Sequence, residues 1–363
     1  MQSPNTDANA GVQAGVGFDF QRNTCVYILL DQYNLLKNQN YFVMLEHYDD
    51  IVFAFNNDEG EISEVKIYQA KKSATVWTVG QLYEILTKMC DAGIGVMNDK
   101  LSKASDYCQH SYFITNNTIT IEYKCSKSNK KLKAYVNETN DTVSYKSLHP
   151  DCQTVLKKGN KDFKFNSNQL IHLTNINFNY IDFGRNTKSQ LQHLTGKFQE
   201  VFGNKISDHS AARDTLIKEL KKIETTYNQG HQPKLSDASK KITSNKINEI
   251  INVITTKNLA IEFCRKKAED ICSKLLINVI DAMSFELDFE NSLDNFKDLN
   301  QGEHQKIIHF IRGKKDNFVN FTDSVACIKS LHDDFISEQN SALSPTQLKA
   351  AIASGYFLTL TQK

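Results

Sequence analysis

Two rhythms of apolar and polar residues run along this chain. As far as about residue 183, short aromatic and β-branched runs mix with helical patterns; from about residue 186 the spacing is helical almost to the end. In the first part, "GFDFQRNTCVYILLDQYNLL" reads as a helix approached from a glycine-rich leader. The runs "YFVMLE" and "DIVFAF" read as strands. The turn chemistry of "NNDEGE" folds "DIVFAF" back on "SEVKIYQAK" as an antiparallel hairpin. "WTVGQLYEILTKMC" follows, with capping-box spacing between Thr78 and Gln81. Leu82, Ile85, Leu86 and Met89 then keep the i, i+3, i+4, i+7 rule of an amphipathic helix. After a further helical stretch comes a strand, "SYFITN", and "LIHLTNINFNYIDF" reads as the last strand. The order strand, strand, helix, strand predicts a mixed sheet backed by helices.

Residues 118–165 are a polar, lysine-rich excursion, read as a hairpin or loop inserted on that core. In the second part, Leu216, Ile217, Leu220 and Ile223 form one helical stripe, Pro233 marks a break, and no fixed repeat period emerges. The expected fold class is α+β, a mixed-sheet core followed by an all-α helical domain. The expected organisation is a flexible leader over 1–16, the core over 17–185, and a helical regulatory or oligomerisation domain over 186–363.

Composition changes this picture little. The 363 residues carry 21 Phe and 14 Tyr, enough to fill a core. Forty-three basic and 42 acidic residues leave a net charge of +1, which excludes a strongly basic DNA-coating protein but not a local basic groove. The eight cysteines show neither a C-x-x-C pair nor zinc-like spacing with histidine, so reduced, buried thiols in a cytoplasmic protein are expected. The first seventeen residues are too polar for a signal peptide, and no apolar run approaches the ~20 residues needed to span a bilayer. No P-loop sequence occurs.

The candidate chemistry lies at the hairpin, in "LEHYDDIVFAFNNDEGEISEVKIYQAKKS". With its turn near residue 59 or 60, antiparallel pairing sets Asp50 opposite roughly Gln69, and alternation puts Gln69 and Lys71 on one face. A carboxylate, an amide oxygen and a backbone carbonyl are hard ligands of the kind Mg²⁺ prefers. A lysine beside them can orient a water or stabilise a pentacovalent phosphate. Strand parity adds Glu46 to the face of Asp50, provided no bulge intervenes at "HYDD".

A helix with G-F-x-x-Q (Gly17, Phe18, Gln21), then E-x-x-D-D (Glu46, Asp49, Asp50), then Q-x-K (Gln69, Lys71) followed by Trp77 and Thr78, resembles the double-stranded DNA endonuclease domain of the PD-(D/E)XK superfamily. The version it resembles is the effector nuclease of bacterial anti-phage systems, of the CBASS type and above all of Lamassu. The resemblance covers about residues 15–90 and implies an α/β restriction-endonuclease-like core. It implies that Asp50 is the main metal ligand, with Glu46, Gln69, the Ala70 carbonyl and Asp49 as further ligands, and that Lys71 is the catalytic lysine. It implies too that Gln21 supports the site from behind, and that Mg²⁺ is the cofactor, with Mn²⁺ able to substitute. Gln69 stands where the superfamily usually has Asp or Glu, so metal affinity leans on Asp50 and Glu46.

Two lysine runs are candidates for sequence-independent phosphate contacts: Lys124, Lys127, Lys130, Lys131 and Lys133, and then Lys157, Lys158, Lys161 and Lys164. The helical second half resembles the extension of Lamassu effectors, which implies an SMC-like ATPase partner, a small third subunit, and homo-oligomerisation on activation. Two other readings stand beside this one: a second-messenger-gated nuclease of the CBASS type, and a non-catalytic nuclease-like adaptor for DNA or protein.

Overall fold

The computed structural model describes residues 10–206, 208–227, 232–296 and 301–361, with the backbone alone described at 10–14, 252–254 and 256–258. The elements in chain order are α1 (Ala10–Asp31), α2 (Tyr33–Leu36), β1 (Tyr41–Leu45), β2 (Ile51–Asn56), β3 (Ile62–Lys71), β4 (Trp77–Thr78) and α3 (Val79–Met97). Next come β5 (Lys103–Thr115), β6 (Ile119–Lys124), β7 (Lys131–Val136), β8 (Thr142–Ser144), α4 (Pro150–Lys158), α5 (Ser167–Leu173) and β9 (Ile176–Tyr180). The rest are α6 (Thr187–Phe202), α7 (His209–Glu224), β10 (Lys241–Thr243), α8 (Ser244–Lys274), α9 (Val279–Asn295), α10 (Gly302–Gly313), α11 (Ser324–Glu338) and α12 (Pro345–Thr361). This is an α+β core followed by helices, with a seven-stranded mixed sheet in the order β10-β1-β2-β3-β5-β9-β8 and a separate sheet β4-β6-β7.

The hairpin register follows the sequence arithmetic: Ile51 pairs with Tyr68, Val52 with Ile67 and Phe53 with Lys66, all antiparallel. β3 then pairs in parallel with β5, a geometry that requires a crossover, and α3 supplies it. Gln81 Oε1 accepts from the Thr78 N–H at 2.9 Å, so the residues with capping-box spacing do start this helix. Leu82, Leu86, Met89 and Cys90 are fully buried against Phe113, Ile119, Ile121 and Phe178. Ala92 and Val96, further along α3, cover Met44, Val52, Val65 and Ile67. Each buried Leu, Met or Val among them contributes about 1.5–3 kcal/mol on leaving water, so α3 is firmly seated on one face of the sheet.

Several expected boundaries move. Residues 1–9 of the leader lie outside the described residues, and residues 10–16 already belong to α1. β5 begins at Lys103 rather than Ser111, because its polar first half pairs along β3 through backbone hydrogen bonds that an apolar pattern does not report. The expected strand over 170–183 is a helix followed by a strand: the Asn166 side chain accepts from Gln169 N–H and the Gln169 side chain returns the bond, each at 2.9 Å, starting α5. The lysine-rich excursion is the β6–β7 hairpin with β8 and α4.

The chain divides into two compact units. The first runs well past residue 185, to Ile250 apart from a short segment, and so includes α6, α7 and β10. β10 pairs with the outer edge of β1, Phe42 opposite Thr243, so the second half of the chain is not wholly helical. The second unit holds α9–α12 and most of α8, around Phe285, Phe289, Ile311, Ile328, Phe335 and Ile352. Among the described residues no helix is long and apolar enough to cross a membrane.

Candidate active site

β1 and β2 are joined by the five residues Glu46 to Asp50, closed by hydrogen bonds from Glu46 N–H to the Asp50 carbonyl (3.1 Å) and from His47 N–H to the Asp49 carbonyl (3.3 Å). Glu46 and Asp50 therefore face each other across a tight turn, rather than lying two steps apart along one strand. The turn bends at Glu46, which has φ +50°, a left-handed conformation that costs a non-glycine residue about 1–2 kcal/mol. It is held from outside. The His47 ring meets the backbone of Lys234, whose N–H donates to Nε2 at 2.7 Å. The Tyr48 hydroxyl donates to Asp99 at 2.5 Å and to the Pro233 carbonyl at 3.0 Å.

One pair beyond Ile51 and Tyr68, Asp50 stands opposite Gln69. Asp50 Oδ2 accepts from Gln69 Nε2, from the Ala70 N–H at 2.9 Å and from Lys71 Nζ at 3.3 Å. Asp50 and Gln69 are both buried, while the Lys71 side chain is 40% exposed. Val65 and Ile67 lie under α3, so alternation sets Gln69 and Lys71 on that same face. The expected three residues thus converge. Two details differ from the expectation: the Gln69 amide offers its nitrogen to Asp50 in this arrangement, and what Ala70 gives Asp50 is its N–H.

The surrounding electrostatics are those of an acid-rich corner. Glu46 Oε1 and Asp49 Oδ2 are buried acceptors with no hydrogen-bond partner among the described residues. Burial, then the charge of Asp50, pushes the Glu46 carboxyl up to about 7, with Lys71 pulling the other way. The same two causes raise Asp49 well above the usual carboxylate range. Lys71 is ion-paired with Asp50, while Glu46 and Asp49 each keep a buried oxygen without a partner among the described residues. Such a donor set fits a hard divalent cation.

Gln21 lies on α1, a helix that lines a pocket with Lys66 and Tyr68, residues of the opposite parity to Gln69 and Lys71. Gln21 Oε1 is buried without a hydrogen-bond partner among the described residues, and no hydrogen bond joins it to the hairpin. Trp77 is a packing residue. Its Nε1 donates to Thr115 at 2.7 Å and its ring meets Phe113 edge-on.

Sequence reasoning missed Lys240. Its side chain is buried, and Nζ donates to the carbonyls of Ile223 (2.9 Å), Glu224 (3.3 Å) and Thr226 (2.9 Å), closing the end of α7. Its charge also reaches Glu46. Nothing in "SDASKKITSN" marks this lysine out.

The lysine runs are all exposed. Lys124 pairs with Lys131 at the tip of the β6–β7 hairpin, with Lys127 and Lys130 in the turn, while Lys133 faces Glu122 at 2.8 Å. This tip is about 17 Å along β6 from Ile119, the residue that pairs beside Trp77. Lys157 and Lys158 lie in the last turn of α4.

No family model matches this chain, and neither a curated protein nor a solved structure is significantly similar to it.

Proposed function

We propose that this chain is a Mg²⁺-dependent endonuclease that hydrolyses phosphodiester bonds of double-stranded DNA with weak sequence preference. The observation that carries the reading is the convergence of Asp50, Gln69 and Lys71 beside the unpartnered oxygens of Glu46 and Asp49. Asp50, Glu46 and Asp49 are the groups to hold the cation, with Gln69 adding its amide oxygen once the amide turns over. Bound there, Mg²⁺ or Mn²⁺ supplies charge neutralisation of the phosphate and a more acidic water. Lys71, as the exposed ammonium partner of Asp50, reaches the phosphate, orients the attacking water and stabilises the charge that builds on phosphorus. The exposed lysines of β6–β7 and α4 hold the duplex through its phosphates, without reading bases.

The reading extends to an effector subunit of an anti-phage complex, silent with its SMC-like ATPase and small partners and active once released and oligomerised. A surface that suits such assembly lies in the second unit. Val279, Ile280, Met283 and Leu287 follow helical spacing at the start of α9 and are 60–88% exposed, on the side of the helix away from buried Phe285, Phe289 and Leu293, and exposed Leu276 lies just before the helix.

The test is cleavage of plasmid and linear duplex DNA by the purified chain with Mg²⁺, beside Lys71→Ala and a chelator control. Loss of about 10²–10³-fold in Lys71→Ala with DNA binding retained is the expected result. Cleavage that survives Lys71→Ala, or the absence of cleavage even with the assembled complex and a DNA trigger, removes the reading.

A further inference from the structure

Outside that corner, one group of side chains is set up for different chemistry. We infer that Cys125, His149 and Asp151 form a binding site for one Zn²⁺ ion that fastens the tip of the β6–β7 hairpin to the start of α4. The site does not depend on the nuclease reading.

The three residues offer sulfur, nitrogen and oxygen from two separate elements, and their ligand atoms all lie within 4.8 Å of one another. His149 Nδ1 is 3.6 Å from an Asp151 carboxylate oxygen. Ligands bonded at about 2.0–2.3 Å to a tetrahedral zinc are about 3.3–3.7 Å apart, so this pair is already at the required spacing and Cys125 needs only a small approach. Three protein ligands leave a fourth position for water.

The ligands are held before any metal arrives. The hairpin tip is closed by Cys125 N–H to the Lys130 carbonyl (2.9 Å) and Asn129 N–H to the Cys125 carbonyl (2.8 Å). Asp151 accepts from the Ser126 N–H at 2.8 Å and from its hydroxyl at 3.0 Å, which ties the carboxylate to the residue after the cysteine. The His149 ring stacks on Tyr123 with centroids 5.3 Å apart. Its Nδ1 accepts a long hydrogen bond, 3.2 Å, from the Asp151 N–H, which the metal replaces. Partners of this kind fix ligand orientation in metal sites.

Around the cysteine, the Ser128 hydroxyl and the N–H groups of Ser128 and Lys127 face the sulfur as hydrogen-bond donors. A second group, Glu64, Cys108 and His110, has similar spacing but lacks this preparation. Burial and the neighbouring Glu64 and Asp106 carboxylates raise the Cys108 thiol, and Glu64 is already paired with Lys66 at 3.5 Å. Zinc spacing is invisible in the sequence because one ligand stands alone on a strand end and the other two open a helix far downstream.

Zinc there neutralises the thiolate and Asp151. That removes the carboxylate charge that offsets Lys127 and makes the fixed tip more attractive to an anion.

The test uses tag-free full-length protein stripped with a chelator and titrated with Co²⁺. The expected result is a tetrahedral, thiolate-ligated cobalt spectrum saturating at one equivalent and displaced by Zn²⁺. It should vanish in Cys125→Ala and His149→Ala and persist in Cys108→Ala. No such spectrum, or one lost in Cys108→Ala and kept in Cys125→Ala, overturns the assignment. A readout needing no variant accompanies it: alkylation of Cys125 in the wild-type chain, followed by peptide mass mapping, should slow roughly tenfold or more with Zn²⁺. Equal rates with and without Zn²⁺ overturn it too.

Discussion

Gln69 and Asp50 stand opposite each other one step past the last strand pair of the hairpin, and the Gln69 amide donates to the Asp50 carboxylate. A neutral side chain fills a position where a second carboxylate would repel the first. The amide thus stabilises the metal-free corner and contributes no charge to metal binding.

Replacing Gln69 by Glu exchanges that hydrogen bond for like-charge repulsion. In a chelator, Gln69→Glu should melt several degrees below the wild type. Adding Mg²⁺ should raise its Tm more than it raises that of the wild type, because the extra carboxylate strengthens cation binding. Calorimetry of both proteins with and without Mg²⁺ decides the point, and an equal Mg²⁺ shift in the two would rule out position 69 as a ligand.

Glu46 links stability to pH. Its carboxyl titrates near 7 in the folded chain and near 4.3 when unfolded. Across that window the native state holds more protons than the unfolded state, so stability falls as pH rises. The raised Asp49 acts in the same direction. After allowance for solvent screening at a half-buried group, metal-free protein should lose roughly 2–5 °C in Tm between about pH 5 and pH 8. Glu46→Gln should flatten the slope. A slope that is the same in the variant would mean that another group causes it.

Lys240 is a structural cation. Lys240→Met leaves three carbonyls at the end of α7 without their donor, at a cost of about 2–4 kcal/mol. Denaturant unfolding should show this as a lower midpoint with an unchanged slope. A loss under about 0.5 kcal/mol would mean that water takes over the bonds.

The α9 stripe should matter for assembly and not for folding. Ile280 and Met283 are 82% and 88% exposed, so Ile280→Lys with Met283→Lys should leave Tm within about a degree. The double variant should shift sedimentation to smaller species, or weaken partner association if the wild type is monomeric. Unchanged association in both measurements removes this face from consideration.

The hairpin was legible because antiparallel pairing is arithmetic: one turn position fixes every partner, and Asp50 falls on Gln69 without knowledge of the rest of the chain. The α3 start was legible for a similarly local reason, the Thr78–Gln81 spacing. The first half of β5 was hidden, since "KASDYCQH" pairs by its backbone and shows no apolar alternation. α5 was hidden by "LIHLTNINF", whose apolar residues suit a strand until the Asn166–Gln169 cap is noticed. The end of the first unit was hidden as well, because β10 is three residues long and joins β1 from the far side of two helices. Lys240 and the Cys125 cluster depend on contacts between distant segments, which no local pattern encodes.

The late arrival of β10 gives the protein an order of assembly. During synthesis the hairpin with Asp50, Gln69 and Lys71 leaves the ribosome long before Pro233, Lys234 and Lys240, the residues that brace its turn and close α7. Until then β1 is an open edge, ready to pair with the wrong strand. A chain cut near residue 185, where the apolar rhythm changes, would keep every proposed catalytic group and lose its support. The corner reaches its final form only once synthesis has passed about residue 243, so a product terminated before that point is a poor candidate for a stray active enzyme.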